Sequence, residues 1–376
     1  MDDIKFIHTA DIHLGRKFNY LGNKSSDARE HLFDILKKIS QLAIDNNVKF
    51  LLISGDLFDS TNPDLYTVGK FLDNVSYLGT HKIKVIVLPG THDFLKENSV
   101  YMNKSLFSTY KNLYIFDDIS KTSLTFQSPS ITFYAYPPIA NKMEISPITG
   151  FNRDDSSKYH IIMAHGSVQI KGKSDPSDSP IEMEEIKNSN VSYIALGHWH
   201  QNLDFTQGDV PCFYSGSPEL IDIDQEKSGF VILGNLTKGV YTPIKVGERY
   251  FDKLDIPVSD ISSPEKIVEK ILSGANPNLI REVNLIGKKG KGIVGVNFNL
   301  LKDQVEKYFY YITINDKTSI DIDSIMDLTS SSSVDREYVS ILKDLIEKSK
   351  NEEEANIYKE ALEIGYALLN GRSDIL

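Results

Sequence analysis

One cysteine, Cys212, stands in a chain of 376 residues. That excludes an internal disulfide and a thiolate metal cluster, and it fits a reducing compartment. No apolar run approaches the ~20 residues of a membrane helix. The opening Met1-Asp2-Asp3-Ile4 is acidic and lacks the apolar stretch of a secretory signal. Basic charge is also short: 41 Lys and Arg face 52 Asp and Glu, for a net charge of −11. This argues against a nucleic-acid binder that relies on a generally basic surface, but leaves room for local basic patches. There is no G-x-x-x-x-G-K-[ST] loop, so any ATP dependence must come from another subunit. The expectation is a cytoplasmic protein, nucleoid-associated if prokaryotic, that engages no membrane. Histidine is scarce too, nine in all, so histidine positions carry information.

What is present reads as layered α/β. Short apolar runs recur at Phe6-Ile7, 50–53, 85–88, 131–136, 161–163, 193–196 and 230–233, as in strands buried on both faces. Leu32, Ile35, Leu36, Ile39 and Leu42 recur at helical spacing, and a second helix is expected over 67–78. These elements make a first domain over 1–240. A smaller domain follows over 245–318, patterned strand (250–256), helix (264–272), strand (281–287), helix (300–308), strand (309–315). Its basic loop, Gly287-Lys288-Lys289-Gly290-Lys291-Gly292, reads as a solvated hairpin tip. After the linker Ser330-Ser331-Ser332-Ser333 come two amphipathic helices over 334–371. Tyr338, Ile341, Leu342, Leu345 and Ile346 line one; Tyr358, Ala361, Leu362, Gly365 and Leu369 line the other. Such a hairpin either packs on its own protein or docks a partner.

Five short clusters directly follow apolar runs: Asp11-Ile12-His13, Gly55-Asp56-Leu57-Phe58-Asp59, Gly90-Thr91-His92-Asp93, His165-Gly166 and Gly197-His198-Trp199-His200. In layered α/β proteins, ligands bind beyond the carboxyl ends of the strands. Carboxylate oxygen with neutral imidazole, and no sulfur, suits divalent Mn, Fe or Zn. In Asp-x-His and His-x-His an extended backbone puts both side chains on one side. An aspartate between two sites can bridge them, and two cations ~3.5–4 Å apart can hold a phosphate and activate water. Any one cluster alone is commonly structural; five in sequence are not. Trp199 could stack on a base, but packing is the commoner role.

These residues resemble the calcineurin-like metallophosphoesterases, whose pattern is D-x-H, G-D-x-x-D, G-N-H-[DE], H and G-H-x-H. More closely, the chain is similar to DNA-repair exonucleases of the SbcD type, nuclease subunits that pair with an SMC-like ATPase. Phe6-Ile7-His8-Thr9-Ala10-Asp11-Ile12-His13-Leu14-Gly15, residues 54–59 with Pro63, residues 193–200, and Tyr214-Ser215-Gly216-Ser217-Pro218-Glu219 carry that likeness. The helix over 361–371 is similar to a YhaO-type branch. Protein phosphatases of the superfamily carry Arg-Gly after the second aspartate; here Ser60-Thr61 follows Asp59.

The resemblance implies a metallophosphoesterase β-sandwich flanked by helices, with a small α+β capping domain that contacts DNA and a C-terminal helical hairpin. It implies two divalent metals, Mn2+ above others. Asp11, His13, Asp56 and His200 would hold one; Asp56, His165 and His198 would hold the other, with Asp56 bridging. His92 would contact the scissile phosphate, and Asp93 would orient His92. Asp59 would cap the turn or orient a ligand. Arg16 would touch a phosphate or form a surface ion pair. The third motif has Thr91 where the family has a metal-ligating Asn. Either the shorter hydroxyl ligates from a shifted backbone, or water fills the gap, or the second metal is loose. The activity implied is exo- and endonucleolytic cleavage of DNA in double-strand break repair, by a homodimer working with a coiled-coil ATPase. The rivals are a phosphoesterase of small phosphodiesters or nucleotides, and a catalytically weak DNA-end scaffold with the Thr91 change as its mark.

Overall fold

The computed structural model describes all residues except 1–2, 154–155, 171, 173–174, 176, 224, 226, 290–292, 294–295, 297, 321, 323–333 and 370–376. The chain divides into two compact units, Met1–Arg249 and Tyr250–Leu376. Among the described residues, no helix is long and apolar enough to cross a membrane.

The first unit is built on two six-stranded sheets. One takes β1 (Lys5–Thr9), β2 (Phe50–Ser54), β3 (Lys84–Leu88) and β4 (Leu113–Ile115), all parallel. At its other edge lie β13 (Phe230–Asn235) and β14 (Val240–Lys245), in the order β14-β13-β1-β2-β3-β4. The other sheet holds β5 (Ser123–Gln127), β6 (Ser130–Tyr134), β7 (Tyr159–His165), β10 (Tyr193–Gly197), β11 (Leu203–Asp204) and β12 (Cys212–Tyr214), ordered β11-β12-β10-β7-β6-β5. A two-stranded ribbon, β8 (Ser167–Val168) with β9 (Pro180–Ile181), stands apart.

Alternation of side chains decides the packing. Phe6, Phe50, Leu52, Ile86 and Leu88 of the first sheet meet Ile131, Phe133, Ile161, Met163 and Ala195 of the second in one buried core. Residues of opposite parity, such as Ile7, Leu51, Ile53, Val85 and Val87, are equally buried. Strands covered on both faces read as continuous apolar runs. The helices α1 (Ser25–Asp45), α2 (Leu65–Thr80), α3 (Lys104–Phe107) and α4 (Met183–Asn188) complete the unit. α2 begins two residues before the expected 67 because Asp64 caps it, accepting from the Thr67 amide at 2.7 Å. The first unit also runs past 240, since β14 pairs with β13 along its length.

The second unit has three parallel strands, β15 (Tyr250–Pro257), β16 (Leu279–Lys289) and β17 (Tyr311–Ile320). Its crossovers carry α5 (Pro264–Leu272) and α6 (Phe298–Val305). Parallel pairing corrects one expectation: Gly287-Lys288-Lys289 is no hairpin tip but the end of β16. Lys289 is 4% exposed and pairs with Asp316 and Glu363; residues 290–292 lie outside the description. Two further helices, α7 (Val334–Glu347) and α8 (Glu352–Leu369), form the expected hairpin. Their shared core is Val339, Leu342, Leu362 and Tyr366, whereas Ile341 and Leu369 of the expected stripe are exposed. Gly365 admits the Tyr338 ring, which a Cβ there would overlap. The serine linker 330–333 and Gly371 lie outside the described residues.

His8 in β1 ties the two sheets together. It is buried, with Nδ1 3.0 Å from the Tyr193 hydroxyl and Nε2 3.1 Å from the Leu196 carbonyl. A carbonyl only accepts, so Nε2 carries the proton and Tyr193 donates to Nδ1. Burial pushes the His8 pKa down to about 3. The folded state therefore keeps His8 neutral, while the unfolded chain protonates it below about 6.5. The stability it contributes is complete above that value and lost as pH falls towards about 3. We predict that His8→Gln flattens unfolding free energy against pH across this window, by up to about 1.4 kcal/mol per pH unit. Denaturant titrations of both proteins check this, and parallel pH slopes would show that His8 is not the titrating group.

Candidate metal centre

The loops after β1 and β2 continue side by side beyond the sheet edge. The amides of Asp11 and His13 donate to the Gly55 and Asp56 carbonyls at 3.1 and 3.0 Å. To do so the backbone turns sharply. Asp11, His13 and Asp56 have φ of 53°, 51° and 50°, and His198 has 106°. Non-glycine residues rarely adopt such angles, and four among the named residues of one site mark a backbone held by its surroundings. Gly55 and Gly90 make the close approach possible: a Cβ on Gly55 would overlap the His165 ring, and one on Gly90 the Asp56 carboxylate.

The result is a buried cluster. Asp56 Oδ1 accepts from the His92 amide at 2.8 Å. Its Oδ2 faces His165 Nε2 at 3.3 Å, His13 Nε2 at 3.7 Å and the Thr91 hydroxyl at 3.5 Å. Thr91 Oγ1 is also 3.3 Å from His165 Nε2. The Asp11 carboxylate accepts from the His198 amide at 3.0 Å. Three sets of side chains bring their ligand atoms within 4.8 Å of one another: Asp11, His13 and His200; His13, Asp56 and His92; Asp11, Asp56 and His165.

The rings are aimed by their far nitrogens. His13 Nδ1 donates to Asp59 at 3.0 Å and His165 Nδ1 to the Ser54 carbonyl at 3.0 Å, so each Nε2 points inward. His200 Nδ1 touches the Gln225 amide. Among the described residues, buried His13 Nε2 has no hydrogen-bond partner. An orphaned imidazole nitrogen beside two carboxylates is the donor set a divalent cation satisfies, and these residues fit one.

Charge points the same way. Burial raises Asp11 to about 6. Burial opposes ionisation of Asp56 as well, but His165 and His13 outweigh it and hold that carboxyl far below its usual range. Burial would lower His165, yet Asp56 lifts it to about 10. The carboxylates thus draw protons onto neighbouring imidazoles, and a bound cation would displace those protons.

One expectation needs correction. Asp93 does not orient His92: its carboxylate accepts from the Gly90 and Phe58 amides at 2.6 and 3.0 Å and from the Tyr101 hydroxyl at 2.6 Å. It fixes the turn that carries Thr91 and His92. The carboxylate nearest His92 Nδ1 is that of Asp59, 3.9 Å away. Of the two readings of Arg16, the ion pair is the one found: its guanidinium donates to Asp59, Asp222 and the Ile221 carbonyl. His198 stands outside all three sets, with Nε2 held 2.6 Å from Asp178. Trp199 packs: it lies 5.1 Å from Tyr214 at 11°, and its indole donates to Ser167. Lys171 and Lys173 lie outside the described residues.

Sequence reasoning passed over Asp178, Asp222, Gln225 and Tyr101. None follows a strand directly, and each reaches the site from a loop or short helix. If Asp93 holds the turn, Asp93→Asn lowers stability by about 2–3 kcal/mol, since it weakens charge-assisted bonds to two buried amides. Asp59→Asn, part exposed, should cost less stability and act instead on metal affinity through His13. Thermal unfolding and metal titration on both variants separate the two roles; equal stability losses would count against this division.

Comparison with known proteins adds the family. The calcineurin-like phosphoesterase description matches residues 4–202. The DNA double-strand break repair protein Mre11 of Sulfolobus acidocaldarius is 24% identical over 332 residues, 82% of this chain and 82% of that protein. The SbcD component of the nuclease SbcCD of Staphylococcus epidermidis is 22% identical over 383 residues, 87% of this chain and 98% of that one. The uncharacterized metallophosphoesterase YhaO of Bacillus subtilis is 24% identical over 246 residues, 64% of this chain, and the match spans only 59% of YhaO. The family match takes in more than half of the sequence and all five strand-end clusters in full; the chain belongs to the calcineurin-like phosphoesterase family.

Proposed function

We propose that this chain is a Mn2+-dependent phosphodiesterase that cleaves DNA, as exo- and endonuclease, in the processing of double-strand breaks. The observation that carries the reading is the buried carboxylate–imidazole cluster with the unpartnered His13 Nε2 at its centre. The names of the relatives, a break-repair protein and a nuclease component, favour DNA over a small phosphodiester.

Divalent cations at this site would supply activation of water and charge stabilisation on the phosphate oxygens. Asp11, His13, Asp56 and His200 are the proposed holders of one cation. Asp56, His165 and Thr91 are those of the other, with His198 joining if its ring is shared with Asp178. The substrate end belongs to His92. Its side chain is 46% exposed at the rim, and its ring lies 4.7 Å from that of His13. Partial burial lowers its pKa, so it meets the phosphate as a neutral donor that stabilises developing charge. Mn2+ is preferred because it accepts both imidazole and carboxylate, whereas Mg2+ favours oxygen.

The second unit is proposed to cap the DNA, and the homodimer to work with an SMC-like ATPase in the cytoplasm. The exposed Ile341, Ile357, Ile364 and Leu368 of the hairpin offer that ATPase an apolar face. The reading of a weak scaffold rests on Thr91, but its hydroxyl lies within 3.5 Å of both Asp56 and His165, which favours a working site.

The test is turnover on double- and single-stranded DNA with added Mn2+. Cleavage that saturates with Mn2+ is expected; none on either substrate would remove the nuclease reading. His92→Ala should keep metal binding and lose about 10²–10⁴-fold in rate, and an unchanged rate would take His92 out of the mechanism. Thr91→Asn should shift the Mn2+ dependence to lower concentration, because an amide oxygen reaches further than a hydroxyl. Superimposable Mn2+ curves would show that Thr91 already ligates fully.

A further inference from the structure

The strands that carry the site also have beginnings, and these gather lysines. Lys49 donates its amide to the Lys5 carbonyl at 2.8 Å, and Lys84 to the Lys49 carbonyl at 3.0 Å. Lys5 and Lys49 therefore stand at the start of two neighbouring parallel strands, and Lys84, in register with Phe50, begins the third one residue further on, the strands lying about 4.8 Å apart. From the second sheet, Lys158 precedes Tyr159 at the start of β7. A cavity of about 460 Å³ opens there, lined by Lys49, Lys82, Lys84, Lys158, Tyr159 and Ser130 among others. Five-residue strands put it roughly 17 Å from the metal centre, at the opposite edge of the sandwich.

Side-by-side like charges on a sheet repel, and this chain is acidic overall, with a net charge of −11. Asp3 is the one carboxylate among the cavity's described lining residues. It is already taken, accepting from Lys238 at 2.7 Å and Asn235 at 3.1 Å. Among the described residues, no carboxylate pairs with Lys49, Lys82 or Lys84. Lys84 Nζ instead rests over the Phe50 and Phe126 rings, at 5.8 and 5.4 Å. The Tyr159 ring adds an aromatic wall, and the volume lies within the ~300–1,000 Å³ of small-molecule sites. A concave, lysine-lined space of that size suits a compact polyanion better than the backbone of a duplex.

We propose that this cavity binds a polyphosphate anion, either free or as part of a nucleoside triphosphate, at a site separate from the metal centre. The test is calorimetric titration of the full chain with tripolyphosphate and, separately, with ATP. Lys49→Gln/Lys82→Gln, both exposed positions, and the single variant Lys158→Glu are compared with the wild type, after thermal unfolding shows them folded. His92→Ala controls for binding at the metal centre. We expect one saturable site, weakened about tenfold or more by either lysine variant, unmoved by His92→Ala, and weaker at high salt. Tighter binding of ATP than of tripolyphosphate assigns the site to a nucleotide; equal binding assigns it to free polyphosphate. Binding unaffected by both lysine variants, or absent from the wild type, overturns the proposal. Loss of duplex-DNA binding in the variants without any polyphosphate site overturns it in favour of a DNA contact.

Discussion

Two carboxylates, Asp11 and Asp56, are almost wholly out of water, and the first unit is arranged around that fact. Burying an ionised carboxylate without compensation costs several kcal/mol. Each is therefore served by the backbone of a different loop: Asp11 by the His198 amide, Asp56 by the His92 amide. Each also faces imidazoles that hold positive charge, as the high pKa of His165, about 10, records. Protons can perform this service only in part, because among the described residues His13 Nε2 is left with no hydrogen-bond partner. A divalent cation fits the remaining need.

The scaffold makes the cluster possible by stacking ends. Strands β1, β2, β3, β7 and β10 run parallel within their sheets and finish at one edge of the sandwich. The dry core between the sheets, around Phe6, Phe50, Phe133 and Met163, fixes their separation. Left-handed residues then turn the chain at the ends of β1, β2 and β10. That strain is of order 1–3 kcal/mol per residue and persists only where packing and hydrogen bonds over-determine it. Asp93 is part of that over-determination, since it binds both the Phe58 and Gly90 amides and so couples the loop after β2 to the loop after β3.

What the sequence showed of this follows burial. Strands covered on both faces stood out as apolar runs, and each of the seven runs falls on a strand. The short or half-exposed strands β4, β5, β8, β9, β11, β12 and β14 carry no such run and were not anticipated. Of the site, the clusters at strand ends were legible because Asp-x-His and His-x-His are dense and glycine-flanked. Asp178, Asp222 and Gln225 come from loops where an acid or amide is ordinary, and only the fold brings them to His198, Arg16 and His200. The error over Asp93 has a similar origin. Adjacency to His92 suggested an orienting partner, but side chains of adjacent residues diverge, and the Asp93 carboxylate turns inward to buried amides. Lys289 looked solvated from its glycine and lysine neighbours, yet parallel pairing carries it into a strand and between two acids.

The central claim is that this cluster holds two divalent cations through a shared Asp56. Titration calorimetry of the metal-stripped chain with Mn2+, at fixed pH in two buffers of different ionisation enthalpy, tests it most directly. The account predicts two ions per chain, the second weaker, with protons released as His13 and His165 surrender theirs. Binding of no ion, of one ion alone, or of two without proton release would contradict it.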